Sequence, residues 1–218
     1  MEFKAVNQAR HSVRDFSDRQ VSLEQIRQIV KQAQQAPSWV NAQPWKVYVA
    51  TGKTLERVRE MSHHQDDAHV KGNPDLKVMS REDWAPVPQA NMKEWGHRIV
   101  GHFENYDEAH QTMSGLAYDL NHAPVIAYIT IPKQSPDWAI FDAGAFAQTM
   151  MLAAKDLGID SIPTYNSVRF PEQLREILAI PNDERIIVGI ELGYAKDTKV
   201  NQYRSTRQAL DKILKIED

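Results

Sequence analysis

Arg10-His11-Ser12-Val13-Arg14-Asp15-Phe16 and Ala36-Pro37-Ser38-Trp39-Val40-Asn41-Ala42-Gln43-Pro44-Trp45 are the two stretches around which the chain is organised. In the first, two arginines and a serine alternate, so their side chains can converge on one anion. The second is a turn bounded by prolines that carries hydroxyl, amide and indole groups. Together they outline a site for a molecule that is both charged and aromatic.

Between the two stretches, Ser22 and Gln25 have the spacing of a capping box. Leu23, Ile26, Ile29, Val30 and Ala33 then fall on one helical face, with Arg27, Lys31 and Gln34 opposite. Pro37 ends that helix because it pushes residue 36 out of the helical region. Trp45 to Ala50 alternates and is rich in β-formers, which predicts a strand. After a turn at Thr51-Gly52, Leu55, Val58 and Met61 mark a second, short amphipathic helix. Residues 62–123 are less patterned. The run His63 to His69 is polar, and Gly72-Asn73-Pro74 and Ala85-Pro86-Val87-Pro88 are breakers. Helix is expected around Met92–Tyr106 and Ala109–Leu120. The whole region reads as a variable lid or insertion, the natural carrier of substrate selectivity.

Further on, Val125 to Ile131 is a near-continuous apolar run suited to a central strand covered on both faces. Ala139 to Leu157 is a helix that is apolar nearly all round, ended by Gly158. Such a helix must be buried on more than one side, as a core helix or against a partner subunit. Phe170-Pro171-Glu172 starts another helix, and Arg185 to Gly193 reads as a second buried strand. The tail from Asn201 to Arg207 is basic and is followed by the spaced apolar residues Leu210, Ile213 and Leu214. With no internal repeat and no dividing linker, residues 1–218 read as one α+β domain.

The 218 residues suffice for a proper core, and a formal net charge of -3 gives no bulk attraction to nucleic acid or membrane surfaces. No apolar run spans a bilayer, and the first residues lack the apolar core of a signal peptide, so the expected compartment is the cytoplasm. The absence of cysteine excludes disulfides and thiolate chemistry. Taken singly, the candidate groups have plain alternatives. Surface arginines are common, and Ser38, Asn41 and Gln43 are suited to satisfying loop backbone. His63, His64, Asp66, Asp67 and His69 offer metal-ligand chemistry but stand in a stretch better explained as a solvated loop. No Gly-rich dinucleotide or P-loop sequence is present, and no nucleophile elbow frames a serine.

In order and spacing, the two opening stretches, Asp142-Ala143-Gly144, Leu157 to Thr164, Val188 to Tyr194 and the late Arg207 resemble the FMN-dependent nitroreductase family. The resemblance implies a homodimer with a mixed, mainly antiparallel central sheet flanked by helices, and two FMN sites at the subunit interface. By that resemblance Arg10, Ser12, Arg14 and Arg207 hold the ribityl phosphate, with Arg204 close enough to compete for the role. His11 contacts the flavin, and Pro37, Ser38, Trp39 and Asn41 reach the ring from the other subunit. Pro163, Thr164, Tyr165 and Asn166 match the segment whose backbone approaches flavin N5, although family members often carry Gly or Glu-Gly just after the proline. The implied reaction is ping-pong: NADPH or NADH passes hydride to the flavin, then a nitroaromatic, quinone or related small acceptor takes its place. The cofactor carries the chemistry, so no side chain is assigned as catalytic. Arg14 or a backbone donor is expected to stabilise the anionic reduced flavin. A flavin-storage protein of the same fold is the alternative.

Overall fold

The computed structural model describes residues 2–217. Its centre is a four-stranded sheet in the order β1 (Lys46–Thr51), β2 (Val125–Pro132), β4 (Glu184–Gly193), β3 (Asp160–Thr164), with every neighbouring pair antiparallel. The parallel component is a single bridge, Ser12 to Ser161. The two apolar runs take the central places because they alone can be covered on both faces. Val125, Ala127, Ile129 and Ile131 of β2 point to one core, and Ile126 and Tyr128 to another.

The first core is closed by α2 (Leu23–Ala33) and α6 (Asp137–Asp156). The capping box forms as the sequence predicts: Gln25 N–H donates to Ser22 Oγ, and Ser22 N–H to Gln25 Oε1. The second core is closed by α3 (Gly52–Asp67) and α7 (Pro171–Leu178) with Val13 and Phe16. A third, smaller cluster joins α4 (Pro86–Val100) and α5 (Tyr106–Tyr118) to Val200 and Tyr203, around α8 (Lys199–Gln202). α1 (Phe3–Ala9), which the sequence reading did not foresee, packs against α6.

Several expectations need correction. The run His63 to Asp67 is not a loop but the last part of α3, which is sixteen residues long. Its polar groups are used inside the chain: the His63 ring stacks on Tyr118, and Asp66 pairs with Arg169. α4 begins at Pro86, six residues before the expected start, because a first helical turn needs no N–H from its residues. α6 is covered on only one side by its own chain, while Trp138 and Phe141 (65 % exposed) lie on the open side.

One close approach in β4 positions the site. A Cβ built on Gly189 would lie 2.2 Å from Ser167 Oγ and 3.1 Å from Ser167 Cβ, so glycine lets the turn after β3 sit on the sheet. Gly189→Ala is expected to lower stability by about 1–3 kcal/mol through overpacking. Adding Ser167→Ala should return most of that loss, as measured by denaturant unfolding of the single and double variants.

Candidate functional site

Residues 10–16 leave α1 in extended backbone and run beside the start of β3. Val13 N–H donates to the Ser161 carbonyl (3.2 Å), and Phe16 N–H to the Asn121 carbonyl (3.0 Å). A side chain from much later in the sequence fixes the middle of this run. Asn201 Oδ1 accepts from the backbone N–H of both Arg14 (2.8 Å) and Asp15 (3.2 Å). Its Nδ2 donates to the carbonyls of Asp15 (2.7 Å) and Lys196 (3.0 Å). The Asp15 carboxylate adds ion pairs to Lys196 (2.9 Å) and His122 (3.0 Å). Sequence reasoning passed over Asn201, because a lone asparagine in a basic tail carries no signal until the fold brings it to residue 14.

This clamp sets the arginines of both segments around one cleft of about 570 Å³, lined by Asn7, Gln8, Arg10, His11, Gln148, Arg204, Ser205 and Arg207. Arg14 is half-buried, its guanidinium 5.8 Å from the Trp95 ring centroid and its Nη1 donating to the Ser12 carbonyl (3.3 Å). Among the described residues, none of these four arginines is ion-paired with a carboxylate. Burial and then the neighbouring Arg207 pull the Arg10 pKa down, and burial does the same to Arg14. Both shifts mark a charge that lacks a counter-ion. His11 is also lowered, by burial first and then by Arg204 and Lys155, against the opposing pull of the Ala9 carbonyl and Asp160. Its Nδ1–H donates to the Ala9 carbonyl (2.9 Å), which leaves Nε2 as the acceptor of the neutral ring. Both late arginines line the cleft. Arg204 also donates to the Asn201 and Tyr203 carbonyls, and Arg207 to Ser205 Oγ.

Ser12 bridges Ser161 at the start of β3, and the strand runs from there to the turn that follows Thr164. Pro163 and Tyr165 look outward, while Thr164 is buried. Asn166 Nδ2 donates weakly to the Ala117 carbonyl (3.4 Å). The 37–43 loop is elsewhere. Trp39 N–H donates to Asp142 Oδ2 (3.1 Å) near the start of α6, and the Trp39 ring rests on Trp138 with centroids 4.9 Å apart. Asp142 and Gln148 are six residues apart, so the loop's anchor stands about 9 Å along α6 from the arginine cleft. Pro37, Trp39 and Asn41 are exposed, and Ser38 is half-buried with its Oγ accepting from Gln43 N–H (2.9 Å). One chain therefore lines one cleft with Arg10, His11, Arg204 and Arg207, keeps Ser12 and Arg14 in the adjoining extended segment and residues 163–166 at the far end of β3, and leaves residues 37–41 on the open face of α6.

A model of the nitroreductase family matches residues 8–194. A 4-nitrobenzoate reductase of Pseudomonas putida is 31 % identical over 211 residues, covering 95 % of this chain and 92 % of that protein. A second 4-nitrobenzoate reductase, from Nocardioides sp., is 28 % identical over 217 residues, covering 96 % and 87 %. The crystal structure of the FMN-dependent nitroreductase NfnB from Mycobacterium smegmatis in complex with NADPH superposes with a TM-score of 0.90 at 26 % identity, over 99 % of this chain and 97 % of that one.

Asn201→Ala leaves the buried amides of Arg14 and Asp15 without an acceptor. It is expected to cost about 2–4 kcal/mol of stability in denaturant unfolding. An uncompensated cationic cleft should also bind inorganic phosphate. Phosphate is expected to raise the unfolding midpoint of cofactor-free protein by mass action, and Arg10→Ala should lose most of that rise in the same thermal scan.

Proposed function

The chain belongs to the nitroreductase family, and from that premise we propose that it is an FMN-dependent oxidoreductase that uses NADPH or NADH to reduce nitroaromatic compounds. The observation that carries the proposal is the cleft lined by three arginines, Arg10, Arg204 and Arg207, that have no carboxylate partner among the described residues. The donor set fits a flavin mononucleotide. Guanidinium groups match a phosphate dianion, and the hydroxyls of Ser161 and Tyr203, beside Ser12 and Arg14, are buried without a hydrogen-bond partner. FMN, when bound, supplies a two-electron relay between the nicotinamide and the acceptor.

In this reading Arg10, Ser12, Arg14, Arg204 and Arg207 grip the phosphate, and His11 lies against the flavin. Pro163, Thr164, Tyr165 and Asn166 present their backbone to the ring. Pro37, Ser38, Trp39 and Asn41 complete the site of a second copy. The open side of α6 supports the homodimer, because Phe3, Trp39, Val40, Trp138 and Phe141 are all more than half exposed in the single chain. On the same reading the lid lies within residues 62–123 of a single 1–218 domain, where α4 packs on α5. The expected acceptor is a nitrobenzoate, as the names of two relatives suggest, and the expected compartment is the cytoplasm. No helix among the described residues is long and apolar enough to cross a membrane. Storage of FMN without turnover is not favoured, since the relatives named above are reductases.

The purified protein should be yellow and release FMN on denaturation. Anaerobic NADPH or NADH should bleach it, and 4-nitrobenzoate should restore the colour. A colourless protein that FMN fails to reconstitute would reject the proposal. Arg14→Ala should bind FMN about ten- to a hundredfold more weakly, the weight of a charge-assisted contact, while still eluting as a dimer.

A further inference from the structure

Glu191 is a carboxyl group in the middle of β4 with 0 % exposure, paired across the ladders with Ile126 and Ile162. Nothing in the phosphate cleft uses it. Its Oε2 accepts from Asn121 Nδ2 (2.6 Å), and its Oε1 lies 2.9 Å from Thr164 Oγ1. Thr164 Oγ1 is in turn 2.7 Å from Ser167 Oγ, which is 3.1 Å from the Thr164 carbonyl oxygen. We propose that Glu191 is a positioning residue of the flavin site: held as a neutral carboxylic acid, its O–H sets the direction of the Thr164–Ser167 hydroxyl chain and so fixes the turn that carries residues 163–166. The proposal rests on the FMN reading above.

Counting protons gives the direction. A carbonyl only accepts, so Ser167 spends its hydroxyl proton on the Thr164 carbonyl. Thr164 must then donate to Ser167 Oγ, and its own proton is used. The contact between Thr164 Oγ1 and Glu191 Oε1 then needs a proton that only Glu191 can supply. An ionised Glu191 reverses the chain: Thr164 donates to the carboxylate, Ser167 turns its proton to Thr164 Oγ1, and the Thr164 carbonyl loses its bond. The surroundings favour the neutral form. Burial pushes the Glu191 pKa up to about 7, against the opposing pull of Asn121, Thr164 and Arg59. The titratable or charged groups acting on it are Arg59 from α3 and Tyr128 from β2, whose hydroxyl is buried without a partner. Because the folded pKa is raised, the chain is complete below about pH 7 and is lost as pH rises through that value. The same carboxyl reaches the phosphate segment, since Asn121, in left-handed backbone at φ 54°, offers its carbonyl to Phe16 N–H.

Glu191→Gln decides the matter, because glutamine can donate to Thr164 and accept from Asn121 as the neutral acid does, yet cannot ionise. FMN affinity is measured by fluorescence quenching on either side of pH 7 for wild type, Glu191→Gln, Thr164→Val and Thr164→Ser. Wild-type affinity should fall about two- to tenfold as pH rises, the weight of one hydrogen bond. Glu191→Gln should hold the low-pH affinity throughout. Titration of the FMN phosphate, near pH 6 as for other phosphate esters, is common to both and cancels in the comparison. Thr164→Val should weaken binding at low pH by a similar factor, and Thr164→Ser should restore it. In the cofactor-free protein, the infrared carbonyl band of a protonated carboxylic acid should disappear in Glu191→Gln. A Gln variant that keeps the wild-type pH dependence, or that removes no such band, overturns the inference alone. A wild type that takes up no FMN overturns the functional reading, and this inference with it.

Discussion

Four hydrogen bonds from one amide, that of Asn201, hold two distant parts of the chain to a common frame. The residues they join are up to 187 positions apart, so the clamp closes the longest loop that the site depends on. Closing a loop of that length costs entropy that no single hydrogen bond recovers. It is the third core cluster, with Val200 and Tyr203 packed on α4 and α5, that makes the approach favourable. The amide then adds register. It fixes which residue of the first segment faces which residue of the tail, and that register brings Arg10 to Arg204 and Arg207.

What the clamp assembles is unfavourable in itself. Three guanidinium groups share a cleft with neutral amides and a half-buried histidine, and burial with the nearby Arg207 lowers the pKa of Arg10. Arg14 is eased by the Trp95 face and by Tyr203, yet remains largely desolvated. Such an arrangement reduces the stability of the empty protein and returns the difference when an anion enters. Sites in which repulsion is held in place by a rigid frame are the usual form of this trade. The rigid part is the sheet, whose two central strands are covered on both faces.

Much of that frame was legible in the sequence. The two apolar runs became β2 and β4, the Ser22–Gln25 box capped α2, and Gly158 ended α6 in left-handed backbone. The extended backbone of the alternating Arg10–Arg14 segment was legible as well, and Arg10 and His11 from it line the cleft. What the sequence hid falls into two kinds. Short-range signals misled where polar residues served tertiary contacts: His63 and Asp66 look solvated but make a ring stack and an ion pair from a helix. Long-range partners gave no signal at all. Asn201, Asn121 and Glu191 matter only through groups at distant positions, and no local periodicity records them. The 37–43 loop stands between these cases. Its residue types were readable, but its placement on an open helix face follows from the buried Asp142 that holds it.

The arginine cleft also says something about when the protein can acquire its cofactor. Its cationic lining is drawn from Arg10 and again from Arg204 and Arg207, with the whole sheet between them in sequence. During synthesis the early arginines leave the ribosome long before the late ones exist, and for that interval they form half a cradle with no clamp. The cleft comes into being only after translation has passed residue 207 and the tail has folded back. On the proposed reading of this cleft as the phosphate site, loading is a late event, and a polypeptide stalled before residue 207 with an intact sheet would lack half of the cationic lining.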